Sequence, residues 1–446
     1  METQMQNMFL VQYTFCSIQN AEEDRVTECC SREKKMQNNQ TLEHAELMKL
    51  VDPPSSRYAT YIATIGTAFV LGFVNFSAAA AGHGVCRSVV EPEGYSCSEH
   101  KVTTKDGYIL GMQRLASKSG GRSRKPVLLQ HGLFMDGMTW FLLPPGQSLA
   151  FLLGDNGYDV WITHGRGSKY SRGHVSYDLD DRAYWDWSWD ELAALDLPAT
   201  VDYIYNQTKQ KMHYVGHSQG NLIALAAVSK GHLVNKLTSV TLLCPIAYMH
   251  HMSSLLMRGS IDLFFAEGFY WLKIKEFDPN GGPAQKFLEK MCKLQFVDCN
   301  NLMTALSGKN CCLKPSAMDS FMENEPQPTS TKNLLHLSQM VRRGTIAMYD
   351  YDNEDQNVKR YGQPTPPVYD ITQIPKDLPL YLTYGSTDAI TSAKDVQILL
   401  RSLKDHMGDK LVSQFIDNYA HADYVMADNA REKVYEPLLG FLKLYN

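Results

Sequence analysis

An excess of charge of either sign is missing from this 446-residue chain, in which 43 lysines and arginines stand against 48 aspartates and glutamates, a net of −5. A nucleic-acid surface needs a basic surplus, so this balance gives no reason to expect such a partner. No C-x-x-C pair occurs among the ten cysteines, and the late group Cys292, Cys299, Cys311 and Cys312 has no histidine at zinc-ligand spacing. No metal is therefore expected. Repeats of solenoid period are absent, and low complexity is confined to the alanines at 78–81. Long apolar runs are scarce as well. The longest candidate, residues 61–76, is broken by Thr64, Thr67 and Asn75 and makes a mediocre membrane span.

That same run makes a good signal-peptide core. Arg57 precedes it, and Ser77-Ala78-Ala79-Ala80-Ala81 follows with small-residue cleavage sites. Residues 1–58 are polar and without periodicity, and no fold is assigned to them. Residues 59–81 read as a signal peptide, with Met48-Lys49 available as the start of its basic region, or as an uncleaved signal-anchor. Either reading delivers the rest of the chain to an oxidising compartment, where disulfides persist. Cys86 and Cys97 flank a Pro-Glu-Gly turn and are expected to pair. A vicinal bond between Cys311 and Cys312 is strained, so each is expected to pair with Cys292 or Cys299. Cys244, in an apolar strand, is expected to stay a buried thiol. Asn206-Gln207-Thr208 is a glycosylation sequon.

What is present is a succession of short apolar strands separated by helical stretches. Residues 98–103 and 108–113 alternate around Lys105-Asp106-Gly107, a hairpin signal. Buried strands are then expected at 126–130, 158–163, 213–215, 240–243 and 380–384, with another strand at 411–416. An amphipathic helix is expected over 190–205. The pattern predicts an α/β fold, with a mostly parallel central sheet covered by helices on both faces. The interval between the strands at 243 and 380 is too long for a loop. Its Leu-, Met-, Phe- and Tyr-rich runs at 249–257, 263–272, 287–296 and 334–340 predict an inserted helical cap. The expected organisation is core at 85–247, cap at 248–376 and core again at 377–446.

The chemistry centres on Gly216-His217-Ser218-Gln219-Gly220, which fits G-x-S-x-G between an apolar strand and an Ala/Leu-rich helix. Glycines at 216 and 220 relieve crowding in a tight strand-to-helix turn that presents the Ser218 hydroxyl above the sheet edge. Parallel sheets place reacting groups at the carboxyl ends of their strands. Two later strands end in candidates, Gly385-Ser386-Thr387-Asp388 and Tyr419-Ala420-His421. Serine needs a base to take its proton, which points to His421; Asp388 would orient that imidazole. The order Ser, Asp, His is the one expected of an α/β-hydrolase. Backbone N–H groups of Gln219 and Leu133 are the expected oxyanion donors, with His131-Gly132 making the turn. His131 and Asp136 also fit H-x4-D, a pattern associated with acyltransferases, although a chance match is expected in a chain with this many histidines.

Taken together, Gly216-His217-Ser218-Gln219-Gly220 and Asp196-Leu197-Pro198-Ala199-Thr200 resemble the acid lipase family of gastric and lysosomal lipases. Further matching stretches are His131-Gly132-Leu133, Tyr158-Asp159-Val160-Trp161, Arg166-Gly167, Ser171-Arg172, residues 185–189 and Gly385-Ser386-Thr387-Asp388. Cys97-Ser98-Glu99-His100 and residues 104–110 resemble its plant members most. Thr163-His164-Gly165 departs from the asparagine that usually precedes Arg-Gly. The resemblance runs from about residue 85 to the C-terminus. It implies hydrolysis of acylglycerols or sterol esters at an emulsion or membrane interface, without a cofactor, in a secreted or endomembrane-lumen setting. The alternatives are an acyltransferase using the same triad and a hydrolase-fold receptor with little turnover.

Overall fold

The computed structural model describes residues 84–116, 125–281 and 302–446. The expectations for residues 1–81, for Cys292 and Cys299 and for the run at 287–296 lie outside them.

The hairpin pairs β1 (Ser96–Thr103) with β2 (Tyr108–Ala116), Thr103 opposite Ile109. Then come β3 (Pro126–Gln130), α1 (Leu149–Asp155), β4 (Asp159–Thr163) and the two-residue β5 (Gly173–His174). Helix α2 (Leu197–Thr208) precedes β6 (Met212–His217), α3 (Gln219–Ser229) and β7 (Leu237–Leu243). The main sheet has the order β1-β2-β4-β3-β6-β7, followed by the strands at Leu380–Gly385 and Leu411–Ile416. From β4 onward every neighbouring pair is parallel, while β1 and β2 are antiparallel. This is the expected α/β-hydrolase sheet. Every residue of β3, β4 and β6 is buried, because helices cover both faces of a parallel sheet.

One face packs Trp161, Trp185, Trp189, Tyr214 and the wholly buried α3; the other packs Trp140, Phe151, Tyr424 and Phe441. One expectation changes in detail. The helix expected to stop at residue 205 runs through the sequon to Thr208, where Lys209 closes it at φ +56°. The strand at Leu411–Ile416 is an edge, so most of its side chains are part-exposed or exposed.

Between β7 and the strand at Leu380–Gly385 lies the inserted segment. It carries α4 (Leu255–Asp262), α5 (Phe265–Trp271), β8 (Glu276–Phe277), α6 (Leu302–Ser307), α7 (Pro315–Asn324), β9 (Thr329–Ser330), α8 (Thr331–Arg343) and α9 (Glu354–Tyr361). The two strands after it, Leu380–Gly385 and Leu411–Ile416, are β10 and β11.

Candidate active site

The site is built at the carboxyl ends of β3, β6, β10 and β11. Ser218 has φ +56° and ψ −119°, a conformation that an L-residue holds only when its surroundings enforce it. Those surroundings explain the two glycines. A Cβ on Gly216 would lie 2.6 Å from Asn221 Oδ1, and one on Gly220 would lie 2.7 Å from the Gln130 carbonyl oxygen. The Ser218 N–H donates to the Leu243 carbonyl (3.2 Å), and Asn221 Nδ2 donates to the same oxygen (2.5 Å). The turn is thus tied to the end of β7.

His421 Nε2 lies 2.8 Å from Ser218 Oγ, and His421 Nδ1 lies 2.9 Å from Asp388 Oδ2. The second Asp388 oxygen accepts the N–H groups of Ile390 (2.9 Å) and Thr391 (2.7 Å), which fixes the carboxylate plane. All three side chains are buried. An Nδ1–H donated to Asp388 leaves Nε2 as the acceptor facing the serine hydroxyl, the tautomer that a general base needs. The inserted segment holds both loops. The Ser307 carbonyl accepts the N–H groups of Ala389 and His421, each at 3.2 Å.

Opposite the base, the turn after β3 presses on the serine. A Cβ on Gly132 would sit 2.8 Å from Ser218 Cβ and 3.3 Å from Oγ. The turn at Gly132 therefore packs directly against Ser218, with Leu133 next in the chain and Gln219 following Ser218 at the start of α3. Gln219 Nε2 donates to Asn333 Oδ1 on α8 (3.0 Å), so the inserted segment also touches the elbow. The neighbouring imidazole, His217, is pushed down to about 3, chiefly by burial and then by His421, and stays neutral. Cys244 is a free buried thiol 3.9 Å from His421 Nε2, raised well above its usual range by burial.

Other residues singled out in the sequence serve elsewhere. His131 Nδ1 faces the Gly132 carbonyl (2.8 Å) while Nε2 accepts the Gly165 N–H (2.7 Å), so the ring locks two turns together. Asp136 caps the 3₁₀ turn Gly137–Phe141 through Met138 N–H (2.7 Å). Neither H-x4-D residue is engaged with Ser218. Cys86 and Cys97 are joined in a disulfide, with Cα atoms 5.3 Å apart. Cys311 and Cys312 are joined to each other, which corrects the expectation that each pairs with Cys292 or Cys299. One carboxyl group, that of Asp423, draws in both backbone N–H groups (3.1 and 3.5 Å) and folds the dipeptide onto itself. Asn206 is exposed on the last turn of α2.

The sequence reading missed a buried ion cluster beneath the site. The fully buried Arg166 guanidinium bonds Asp196 through Nε (3.0 Å) and Asp106 through Nη1 (2.8 Å), and it stacks 3.7 Å from the Tyr108 ring centroid. It ties the β1–β2 hairpin turn to the residue just before α2. The signal lay in two stretches noted only for resemblance, Arg166-Gly167 and Asp196-Leu197-Pro198.

Comparison with known proteins bears on the fold and the family. The profile of the α/β hydrolase fold matches residues 125–424, and that of a partial α/β-hydrolase lipase region matches residues 86–143. Triacylglycerol lipase 2 of Arabidopsis thaliana is 44% identical over 369 residues, covering 81% of this chain and 88% of that protein. The chain belongs to the acid lipase family. Another relative of this carboxylic ester hydrolase family is human gastric triacylglycerol lipase, 33% identical over 366 residues (78% of this chain, 88% of that protein). In fold, the chain is similar to a soluble variant of the monoglyceride lipase of Saccharomyces cerevisiae. That match has a TM-score of 0.51 at 16% identity, covering 77% of this chain and 94% of the other.

Proposed function

We propose that this acid lipase family member hydrolyses triacylglycerol through an acyl-enzyme on Ser218. The observation that carries the reading is the hydrogen-bonded run from Ser218 Oγ to His421 to Asp388, at 2.8 and 2.9 Å. Ser218 Oγ attacks the ester carbonyl carbon while its proton passes to His421 Nε2. Asp388 stabilises the imidazolium, and the N–H groups of Leu133 and Gln219 receive the oxyanion. Collapse of the tetrahedral adduct expels the glycerol oxygen, which takes the proton from His421. Water, deprotonated by the same imidazole, then releases the fatty acid and restores Ser218.

A lipid interface as the place of work is supported by the cap. Leu263, Phe264, Trp271 and Leu272 are 62%, 57%, 81% and 61% exposed at the ends of α4 and α5. Exposed apolar side chains gathered in one short stretch suit contact with an emulsion or membrane surface. A secreted or luminal location is supported by the Cys86–Cys97 disulfide, the exposed Asn206 sequon and the signal-like run at 61–76. Among the described residues no helix is long and apolar enough to cross a membrane.

The test is release of fatty acid from emulsified triacylglycerol by the full chain made in a secretory host, compared with its Ser218→Ala variant. Acyl transfer to an added alcohol in preference to water would instead make the protein an acyltransferase. Saturable lipid binding without turnover would make it a receptor.

A further inference from the structure

The loop that carries Leu133 is gripped from the inserted segment by residues 325–327, just after α7. Glu325 Oε1 accepts the Asp136 N–H at 2.9 Å, and the Gln327 N–H donates to the Phe134 carbonyl at 2.7 Å. Gln327 Oε1 in turn accepts the Lys169 N–H at 2.8 Å. Leu133 lies between Gly132, which abuts Ser218, and Phe134, which is held by Gln327. The grip therefore fixes the backbone immediately after Leu133.

A grip made only for packing would not need acids, yet two carboxyl groups meet here. The Glu325 carboxyl hangs on the backbone N–H of Asp136 (2.9 Å), and the side chains of both residues are buried. Asp136 Oδ2 and Glu325 Oε2 have no donor among the described residues. His164 Nδ1 is 3.4 Å from Asp136 Oδ2 but is already the acceptor of the Gly137 N–H (3.1 Å). The opposite ring nitrogen meets Gln113 Oε1 at 2.7 Å, and Gln113 Nε2 donates to Glu99 (2.7 Å). This chain of bonds selects the Nε2–H tautomer of His164, which has no proton for Asp136. The other titratable groups facing the pair are Tyr170 from the turn after β4, His131 from the start of the loop, and Glu99 of β1 reached through Gln113. Burial raises Tyr170 to about 12 and lowers His131 to about 4, so neither supplies a charge at neutral pH. Two adjacent buried carboxyl groups without a cation are stable only when they hold one proton between them.

We infer that Glu325 is a positioning residue for the oxyanion donor: it shares one proton with Asp136, and that shared proton fastens the inserted segment to the Leu133 loop. Burial first, and then the Asp136 charge, push the Glu325 carboxyl well above the usual carboxylate range. Loss of the proton as pH rises leaves two like charges in contact and releases the loop, so turnover falls on the alkaline side. This rests on the esterase reading of Ser218, and two readouts keep the two claims apart.

The first readout needs no turnover. Infrared difference spectra of the full chain at neutral pH should contain the carbonyl stretch of a protonated carboxylic acid, absent from Glu325→Gln. The second is the pH profile of kcat on a short soluble ester. Glu325→Gln, whose amide donates to Asp136 at every pH, should move the alkaline limb upward by about one pH unit or more. Glu325→Ala should lower kcat about 100-fold with KM little changed, since it removes the support of one oxyanion donor. A wild type inert toward esters but showing the band would sink the esterase reading and leave the shared proton standing. The proposal is overturned if the band is missing from the wild type, or if the active wild type and Glu325→Gln share one alkaline limb. Those two readouts decide the matter even if Glu325→Ala does not fold.

Discussion

At Gly132 the turn after β3 has no room for a side chain beside Ser218. The methyl group of Gly132→Ala would stand 2.8 Å from Ser218 Cβ, so either the loop or the serine must move. Displacing the Leu133 N–H from the oxyanion position should lower kcat roughly 100- to 1,000-fold while thermal unfolding changes little. Steady-state kinetics beside a melting curve checks this. An enzyme with wild-type kcat would mean that Leu133 is not a donor. Ser218→Ala, Asp388→Asn and His421→Ala should each lower turnover by about 10³ or more, because the three act as a unit. These three side chains were legible because each follows a short apolar strand, and a parallel sheet gathers its strand ends. Glu325 was not legible. It lies 189 residues from Asp136 in sequence, and an isolated glutamate beside proline reads as surface loop until the fold buries it.

Among the elements, the hairpin and the elbow could be read from local pattern, but what joins them to the rest of the chain could not. Arg166 is the clearest instance. Its partners Asp106 and Asp196 sit in a turn and at a helix start, each with an ordinary local reason to be acidic. Asp196→Ala leaves a buried guanidinium short of one carboxylate and should cost about 3–5 kcal/mol of stability. Chemical denaturation measures this, and a loss under 1 kcal/mol would mean that the cluster is not structural. The end of α2 was misplaced by three residues because Asn206 and Thr208 look like turn residues. Thr208 instead bonds back to the Ile204 carbonyl (2.9 Å) and stays helical. The exposed apolar ends of α4 and α5 carry a prediction of their own. Trp271→Ser with Leu272→Ser should reduce hydrolysis of emulsified ester several-fold and leave hydrolysis of a soluble short ester unchanged. Equal effects on both substrates would remove the interface role.

For the whole molecule, acid is a stability question as well as a catalytic one. Burial lowers His131 and His213 to about 4, and His217 and His336 to about 3. Unfolded imidazole titrates near 6.5, so the folded state excludes these protons. Their contribution is present above about pH 6.5 and is lost as pH falls toward the folded values. Asp190 works the other way. Burial raises it to about 6, so its contribution is present below about pH 4 and is lost as pH rises through about 6. Glu325 and other carboxyl groups raised by burial oppose the histidines in the same way as Asp190. With the four imidazoles setting the slope, the melting temperature should fall between pH 6.5 and 4, and a flat profile would contradict the burial assigned to these rings. The class of fold and the strand ends bearing Ser218, Asp388 and His421 followed from the sequence, because hydrophobic period and strand-end chemistry are local. The contacts between the inserted segment and the core did not, since they depend on tertiary placement.

The central claim is that Ser218, activated by His421, cleaves a long-chain ester by way of an acyl-enzyme. The most direct measurement treats the full chain with a long-chain alkylphosphonate, maps the adduct by peptide mass spectrometry and titrates free fatty acid from emulsified triacylglycerol in parallel. The account predicts one adduct, on Ser218, with fatty-acid release abolished in proportion to labelling. Undiminished release from a protein fully labelled at Ser218, or labelling of another residue that tracks the loss of activity, would contradict it.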